Sequence, residues 1–426
     1  MNSILEQAPA AAPPFGATER WLRARLLAQM ADLRGGSLRL HDGLGERTLG
    51  SESGDIPPVS IRVRDPAFYR AVAAYGTVGA GEAYRDGWWD CDDLVALVRL
   101  LVRNRDLLDG LDSGLARLGG LVLRGWHALR RNSRDGARRN IAAHYDLGND
   151  FFRLFLSQDL MYSSALFAGD GDTLEAASAR KLDRICRQLR LQPGDHVVEI
   201  GTGWGGFALH AARRYGCRVT TATISREQHA LACARVREAG LEDRVTVLLK
   251  DYRDLSGRFD KLVSIEMVEA IGAAQLDAYF GKIGELLAPD GLALVQAITI
   301  EDHRYRQALR SVDFIKRHVF PGSFIPSVAA LVSAKARSSE LALVHLEDFG
   351  GSYARTLQAW RERFLAQRPQ AQGLGYDARF ARLWEFYLAY CEGGFRERSI
   401  GVAQLLMVKP GTRPAADRAG ADRWEA

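Results

Sequence analysis

The sequence predicts an α/β protein in which a parallel sheet, covered by helices on both faces, follows a smaller α+β domain. Its 426 residues exceed the size of one typical domain, which favours two. From His196 onward, short apolar runs alternate with helical patterns, as is typical of a parallel sheet. A glycine-rich turn directly follows the first of these runs. We therefore expect a small domain over 19–104 and a larger sheet domain over 141–410.

The small N-terminal domain mixes helical and extended patterns. Its predicted elements are, in order, a helix over Trp21–Met30, strands over Gly36–His41 and Val59–Val63, a glycine-rich stretch over Tyr75–Trp89, and a helix over Leu94–Val102. It carries no cluster of catalytic residue types. A role in lipid binding or in forming a homodimer is therefore left open for this domain.

The larger domain contains the alternating pattern. Strands are predicted over His196–Ile200, Arg218–Thr223, Val245–Leu249, Lys261–Ile265 and Gly291–Ile300, with helices over Phe207–Tyr215, Arg226–Ala239 and Gln275–Leu287. After Ile300 the chain becomes helical and aromatic. It closes with a run over Gly401–Val408 that we expect to form an edge strand.

A basic amphipathic linker is predicted over 105–140, between the two domains. Leucines alternate there with seven arginines between positions 117 and 139, against the single acid Asp135. Two interpretations stay open: a linker helix with a solvated basic face, or a segment that attaches reversibly to an anionic membrane surface. Residues 1–18 are expected to form a disordered tail and 411–426 a loose one.

Composition and charge exclude several classes of protein. The five cysteines form no CxxC pair and no metal-ligand spacing, so we expect no metal site and a reduced, cytoplasmic compartment. No apolar run approaches a membrane span, and no signal peptide is recognised. The net charge of +5 fits an anionic partner, but no nucleic-acid-binding motif accompanies it. The expected location is the inner face of the membrane, bound peripherally.

The glycine-rich turn begins after Glu199 and reads Ile-Gly-Thr-Gly-Trp-Gly-Gly, which contains a GxGxxG spacing. A nicotinamide site would also need an acid about 20 residues further on, to bind the ribose. No Asp or Glu lies between Glu199 and Glu227, so an oxidoreductase is disfavoured. An acid directly before the turn is unfavourable for a pyrophosphate. It suits a cofactor with a cationic amino group, such as S-adenosylmethionine.

Nine motifs together resemble the cyclopropane-fatty-acyl-phospholipid synthases and the mycolic acid cyclopropane synthases. In order they are HYDLGNDFF (144–152), MYSS (161–164), EIGTGWGG (199–206), TISREQ (223–228), DYRDL (251–255), VEAIG (268–272), VFPGSFIPS (319–327), SYARTLQAW (352–360) and YCEGGFRERSIG (390–401). The resemblance covers more than half of the chain. It implies a Rossmann-like class I methyltransferase sheet that uses S-adenosylmethionine to methylate cis double bonds of phospholipid acyl chains, releasing S-adenosylhomocysteine.

The resemblance also implies which residues contact the cofactor. Glycines of the loop would line its methionine part, and residues after the second and third strands would meet the ribose and flank the adenine. An N-terminal arm would add a tyrosine and a serine. The implied positions are Tyr162, Ser163, Glu199, Gly201, Gly203, Trp204, Gly205, Thr223, Ile224, Ser225, Gln228, Tyr252 and Arg253.

A catalytic set follows from the same resemblance, because the family holds a bicarbonate that removes a proton after methyl transfer. Its holders map to Glu269, Tyr353, Gln296 and the backbone of Ser164 and Ile298, and Cys391 would line the site without acting as a nucleophile. The chain departs from the family at two positions, with Ser164 in place of Cys and Gln296 in place of His.

These departures place the proton removal in question. Cyclopropane formation on phospholipids is therefore the first expectation. Methyl-branched or methylene chains are the alternative product, and a non-catalytic lipid-binding protein is the alternative class.

Overall fold

A computed structural model of the chain describes residues 14–51, 54–107 and 147–412. These residues form two compact units. The first comprises the described part of Met1–Val122 together with Asp377–Phe386, and the second the described parts of Leu123–Tyr376 and Tyr387–Ala426. The arginine-rich stretch over 117–139 lies outside the described residues, as do 1–13 and most of the predicted C-terminal tail. Within the described ranges, no helix has the length and hydropathy needed to cross a bilayer.

The described part of the first unit contains a four-stranded sheet and the helices that pack with it. Its elements are α1 (Ala17–Gln29), β1 (Ser37–Asp42), β2 (Gly45–Gly50), β3 (Val59–Val63), α2 (Ala67–Arg85), β4 (Trp89–Cys91) and α3 (Leu94–Arg103). The strand order is β2-β1-β3-β4, with β1 and β3 parallel and the other pairs antiparallel. Helix α1 begins inside the stretch that was expected to be a disordered tail. Strands β2 and β4 and helix α2 were not predicted.

Helix α2 explains the glycine-rich stretch. Gly76 has φ +56° and ψ −130°, a conformation that breaks the helix and that residues with a Cβ rarely adopt. The two halves then approach closely, since a Cβ at Gly79 would lie 2.0 Å from the carbonyl oxygen of Ala71. One glycine therefore allows the break, and the other allows the two helical segments to pack.

The described part of the second unit contains a seven-stranded sheet with helices on both sides. Its helices are α4 (Asn149–Arg153), α5 (Leu174–Gln188), α6 (Gly206–Tyr215), α7 (Arg226–Glu238), α8 (Leu276–Leu286), α9 (Tyr305–Arg310), α10 (Phe314–His318), α11 (Val328–Ser338), α12 (Gly350–Ala366), α13 (Arg368–Gly373) and α14 (Ala378–Arg396), whose residues through Phe386 group with the first unit. Its strands are β5 (His196–Ile200), β6 (Arg218–Thr223), β7 (Val245–Leu249), β8 (Phe259–Ile265), β9 (Leu287–Ile300), β10 (Ala342–Asp348) and β11 (Ile400–Val408).

The strand order of this sheet is β10-β11-β9-β8-β5-β6-β7. Strands β5 to β9 run parallel, and β11 and β10 are antiparallel additions. The predicted fold class is thus confirmed. The expectation that β11 is an edge strand is wrong, because β10 covers its outer side. Strand β10 is only partly buried and carries His345, Glu347 and Asp348, so it offers no apolar run that sequence patterning could detect.

Two apolar layers enclose the sheet. Val198 and Ile200 of β5 face a cluster that includes residues of α8 and α11, whereas Val197 faces a cluster with residues of α5 and α6. Strand β5 has β6 on one side and β8 on the other, so the direction of strand succession reverses there. Ligands of open α/β sheets bind beyond the carboxyl ends of the strands at such a point. The glycine loop after β5 lies at this position.

We predict that Gly79→Ala destabilises the first unit, because the added methyl group would overlap the Ala71 carbonyl and force the helix halves apart. Overpacking of this kind costs about 1–3 kcal/mol. Urea unfolding followed by circular dichroism measures the change. Gly169→Ala is the control, because its Cβ would meet nothing within 4 Å. Equal unfolding midpoints for the two variants would contradict the proposed close packing.

Candidate active site

The loop after β5 exposes its backbone. Gly201, Gly203 and Gly205 have φ values of +102°, +52° and +84°, which favour glycine at all three positions. A Cβ at Gly201 would lie 3.0 Å from Cγ of Met267, whereas one at Gly203 would meet nothing within 4 Å. Gly201 is therefore required for packing against the end of β8. Gly203 leaves open space through which a ligand can approach the backbone.

Trp204 anchors this loop. Its side chain is 2% exposed, its Nε1 donates a hydrogen bond to Oδ1 of Asn149 at 2.7 Å, and its ring lies 4.9 Å from that of Phe152. The carbonyl oxygen of Trp204 accepts a hydrogen bond from Arg235 at 2.6 Å. The indole thus packs against α4, and the predicted cofactor contact of Trp204 would have to come from its backbone.

Glu199 lies at the end of β5 and is 2% exposed. Its carboxyl group accepts a hydrogen bond of 2.6 Å from Oγ1 of Thr221. Burial raises the pKa of Glu199 to about 8, although that hydrogen bond and the charge of Lys181 act in the opposite direction. A buried acid that is neutral near pH 7 would ionise beside a cationic ligand group. This property suits the contact with an amino group that the sequence predicts.

The predicted ribose contacts form one small cluster after β6. Oγ1 of Thr223 donates to Oε1 of Gln228 at 2.8 Å and accepts a hydrogen bond from the backbone of Ser225. Oγ of Ser225 in turn accepts a hydrogen bond from the backbone of Gln228, which caps helix α7. Ile224 lies between them and is partly exposed. The structure therefore brings these four residues together at the carboxyl edge of the sheet.

Tyr252 and Arg253 follow β7 at the same edge. Arg253 forms an ion pair with Asp251 at 2.6 Å, and its guanidinium lies 5.7 Å from the Tyr252 ring centroid. The Tyr252 hydroxyl is buried and has no hydrogen-bond partner among the described residues. Burial raises the pKa of this hydroxyl to about 12, so it remains a donor at neutral pH. A buried donor without a partner is unfavourable, and a bound ligand could satisfy it.

The arm that precedes α5 carries Tyr162 and Ser163. The Tyr162 hydroxyl lies 2.9 Å from that of Tyr387, and its ring packs 5.3 Å from that of Trp360. Oγ of Ser163 accepts a hydrogen bond of 2.8 Å from Nζ of Lys181. The arm is thus fixed on one side by aromatic packing and on the other by a buried lysine.

Glu266 occupies the centre of the predicted catalytic set. One carboxylate oxygen accepts hydrogen bonds from the Ser164 backbone at 2.9 Å and from Nε2 of Gln296 at 2.7 Å. The other accepts a hydrogen bond of 2.7 Å from the Tyr353 hydroxyl. Burial raises the pKa of Glu266, while these three donors and Lys181 favour its charged form. Three of the groups that were expected to hold bicarbonate therefore hold a side-chain carboxylate instead.

Glu269 lies one 3₁₀ turn further along the chain. Its Oε1 accepts a hydrogen bond of 2.6 Å from the Ile298 backbone, and its buried Oε2 has no partner among the described residues. Burial, and then the charge of Glu266, raise the pKa of Glu269 to about 8. With one donor against three for Glu266, Glu269 is the member of the pair that keeps its proton at neutral pH.

The residues present do not fit the bicarbonate that the resemblance implies. The Ser164 backbone and the Tyr353 hydroxyl each donate their single hydrogen to Glu266, and the Gln296 amide donates one of its two, so the donors expected to hold the anion are largely occupied. A bicarbonate beside the Glu266 carboxylate would also place two negative charges in a poorly solvated site. Of the predicted holders, Glu269 and Ile298 bond each other.

Cys391 is a partly buried, free thiol on α14. Burial, with a smaller effect from the charge of Asp313, holds its pKa far above the usual range. A thiol that stays protonated is a poor nucleophile. Its chemistry is therefore compatible with the expected role of lining the site.

Sequence reasoning missed Glu266 and Lys181. Glu266 is the first residue after β8, the position where ligand-facing residues of such sheets lie, and that signal was applied to Glu269 instead. Lys181 interrupts the buried stripe of α5 between Ala177 and Ile185, and it is fully buried. Burial lowers the pKa of Lys181 to about 8, opposed by the charges of Glu266, Asp159 and Glu199.

Comparison with known proteins places this geometry in context. A family model described as mycolic acid cyclopropane synthetase matches residues 132–405. The chain is 38% identical to a tuberculostearic acid methyltransferase of Mycobacterium tuberculosis over 366 residues, 82% of each chain. It is 39% identical to the cyclopropane-fatty-acyl-phospholipid synthase of Escherichia coli K12 over 354 residues, 82% of this chain and 87% of the relative.

A solved structure extends the similarity to three dimensions. The crystal structure of a mycolic acid cyclopropane synthase complexed with SAH and CTAB superposes with a TM-score of 0.60 at 30% sequence identity. The match covers 64% of this chain and 98% of that chain.

We predict that Glu269→Gln weakens the pH dependence of stability. The folded protein keeps the Glu269 proton up to about pH 8, whereas the unfolded chain loses it near 4.5. Unfolding between these values releases a proton, so stability falls as pH rises, by up to about 1.4 kcal/mol per pH unit for each such group. Urea unfolding at about pH 5.5 and about pH 7.5 measures the slope.

The matched control for this experiment is Glu285→Gln, which removes an exposed carboxylate of α8. The control should show the wild-type slope of stability against pH. The slope of Glu269→Gln should differ from it by the contribution of about one proton. A wild-type slope in Glu269→Gln would show that Glu269 is ionised in the folded protein.

Proposed function

Because the chain belongs to the mycolic acid cyclopropane synthetase family, we propose that it transfers a methyl group from S-adenosylmethionine to the cis double bond of an unsaturated acyl chain in a membrane phospholipid. It is an S-adenosylmethionine-dependent methyltransferase with the mixed α/β fold of class I enzymes. The observation that carries the proposal is the open backbone at Gly203, in a loop directly preceded by the buried acid Glu199, at the switch point of the sheet.

The cofactor would supply an electrophilic methyl group on a sulfonium. Glu199 would meet its amino group, Thr223 and Gln228 the ribose side, and Tyr252 the adenine. The excess of buried carboxyl groups over buried cations in this part of the unit favours a cationic ligand. The pyrophosphate of a dinucleotide would gain no such ion pair, and any of these carboxyl groups that ionised would repel it.

The substrate requires a dry site. An alkene is a weak nucleophile, so the chain must hold the double bond against the methyl group and exclude water that would compete for it. The ring centroids of Phe320 and Trp360 lie 6.2 Å and 5.3 Å from that of Tyr162, so the three aromatic side chains form a cluster. The neutral thiol of Cys391 adds no competing nucleophile.

The products follow from where the proton is lost. Attack of the double bond on the methyl group leaves a carbocation on the chain. Loss of a proton from the added methyl closes a cyclopropane, and loss from a neighbouring carbon leaves a methyl-branched alkene. A hydride shift that moves the cation to the methylated carbon, followed by loss of a proton from the added methyl, leaves a methylene chain. A saturated methyl branch would also need a hydride donor, which the methyl donor does not supply. We propose cyclopropane formation first, and the unsaturated branched or methylene products as the alternative.

The alternative class, a lipid-binding protein without catalysis, finds less support in the site. A lipid carrier needs an apolar cavity but no pair of buried carboxyl groups. Glu266 and Glu269 both lie where burial disfavours their charged forms, which reduces stability. Such an arrangement is expected where the groups have a chemical role.

We predict that cells making the wild-type protein contain phospholipid acyl chains enlarged by one CH2 unit, and that Gly203→Val abolishes them. The branched side chain would fill the space beside the loop and disfavour φ +52°. Lipid mass spectrometry measures the product, and calorimetry with S-adenosylmethionine measures cofactor binding. The control is Gly194→Val, at an exposed turn where a Cβ meets nothing within 4 Å.

Three outcomes would contradict the proposal in different ways. Unchanged lipids with intact cofactor binding would favour another substrate, or the lipid-binding alternative. Equal cofactor affinity in Gly203→Val and wild type would remove the loop from the site. Tight binding of NAD by the wild type would support the interpretation as an oxidoreductase.

We also propose that the enzyme works at the anionic inner face of the membrane, attached reversibly in part through 117–139, a stretch outside the described residues. Seven arginines there would each contribute about 1 kcal/mol near an anionic surface. Homodimer formation through the first unit is a further proposal, which rests on the sequence alone.

We predict that co-sedimentation with phosphatidylglycerol vesicles weakens with added salt, because exposed charges are screened within about 8–10 Å at physiological ionic strength. Replacing the seven arginines with glutamine should lower binding toward that seen with neutral phosphatidylcholine vesicles. Binding that ignores salt, lipid charge and these substitutions would contradict attachment through 117–139.

A further inference from the structure

We infer that Glu266 is the general base of the reaction and that its carboxylate performs the step for which the family resemblance implies a bound bicarbonate. The inference rests on the proposed methyl transfer and adds the group that removes the proton. Four observations support it: the backbone conformation of Glu266, its hydrogen bonds, the network behind them, and the charges around it.

The backbone of Glu266 is in the left-handed region, with φ +48°. Residues with a side chain rarely adopt this conformation, whereas glycine adopts it without strain. The position therefore has a glutamate where the backbone alone would favour glycine. Unfavourable conformations of this kind cluster at functional sites.

The carboxylate of Glu266 is held by three donors from three parts of the second unit. They are the backbone of Ser164 in the arm, the amide of Gln296 on β9 and the hydroxyl of Tyr353 on α12, all between 2.7 and 2.9 Å away. Burial keeps the pKa of Tyr353 well above its usual value, so this hydroxyl donates throughout the neutral range. A base fixed in this way is pre-organised for a proton that appears at one place.

A second layer orients the Gln296 donor. Gln404 on β11 lies directly opposite Gln296 on β9 and donates a hydrogen bond of 3.0 Å to its side-chain oxygen. Both side chains are fully buried. Since the oxygen of Gln296 is bound by Gln404, its NH2 group points to Glu266. Gln296 is therefore a positioning residue for Glu266, which gives the departure from histidine a physical role.

The charges around Glu266 favour its ionised form over that of Glu269. Lys181 is the buried cation whose field acts on Glu266, and Tyr353 and Tyr387 remain neutral. Glu269 has a single donor and feels the charge of Glu266. The pair thus carries one negative charge, on Glu266, and burial keeps that carboxylate more basic than an exposed glutamate. A base whose pKa approaches the working pH is the most effective.

The proton transfer balances without any further reactant. The double bond supplies two electrons to the methyl carbon, and the electrons of the broken carbon–sulfur bond stay on sulfur. Glu266 then takes a proton from the added methyl, and the electrons of that C–H bond form the third side of the ring. If the proton comes from a neighbouring carbon, the same electrons form a double bond. Glu266 finally returns the proton to solvent after product release.

The test uses the purified full-length chain, S-adenosylmethionine and vesicles of dioleoylphosphatidylglycerol, with bicarbonate either removed from the buffer or added. The wild type should form S-adenosylhomocysteine at the same rate in both buffers. Glu266→Gly should be slower by about 100-fold or more without bicarbonate. Added bicarbonate should raise the rate of this variant at least about tenfold, because the variant frees three donors and leaves a space for the anion.

Two further variants separate chemistry from structure. Glu266→Gln keeps the shape of the side chain but cannot act as a base, so it should be slow in both buffers. Glu285→Gln, an exposed position on α8, should match the wild type. All four proteins should still bind the cofactor in calorimetry, which would show that the Glu266 variants are folded.

Two results of the activity assay would contradict the inference. A wild type that loses most of its activity when bicarbonate is removed would overturn the inference, and so would a Glu266→Gly variant that keeps the wild-type rate without bicarbonate. Calorimetry with bicarbonate in the presence of S-adenosylhomocysteine tests the same site without any lipid. Binding by Glu266→Gly alone would support the inference, and binding by the wild type would refute it.

This lipid-free measurement separates an error in the proposed substrate from an error in the role of Glu266. If the wild type binds S-adenosylmethionine but transfers no methyl group to the vesicles, the proposed substrate is wrong. The bicarbonate calorimetry would then still decide whether Glu266 occupies the anion position.

Discussion

A carboxylate buried at the carboxyl end of β8 is the constraint on which the active region of the second unit depends. Glu266 can remain charged there only if donors replace the lost water, because an unpaired buried charge is strongly unfavourable. The arm, β9 and α12 each supply one donor. Any movement of these elements would remove a hydrogen bond from Glu266, so this one group couples three parts of the unit.

The remaining charges follow a related logic. Lys181 is fully buried and lies in the field of Glu266, Asp159 and Glu199, so it partly compensates several acids at once. One cation is too few for these acids, and burial accordingly raises the pKa values of Glu199 and Glu269 to about 8. A cationic cofactor would complete the balance. The electrostatics of the protein without ligand thus already favour the class of ligand that the glycine loop indicates.

How far the sequence predicts the fold depends on the pattern that each element presents. Strands β5, β6 and β7 carry apolar or β-branched runs, and their predicted bounds equal the observed ones. Strand β10 mixes polar and apolar residues on a half-exposed edge and was missed, which misplaced β11 at the edge of the sheet. The break in α2 at Gly76 depends on one glycine conformation, which periodicity cannot reveal.

By itself, the sequence determined the alternation of strands and helices, the glycine loop with its preceding acid, and the residue types available to the site. Only the tertiary structure decided which of them meet. Glu266 bonds residues that lie 102, 30 and 87 positions away in the chain. Those distances are closed by parallel strand connections and by the packing of α12, which local patterns do not encode. For that reason Glu266 was overlooked in the sequence, whereas the structure places it at the centre of the site.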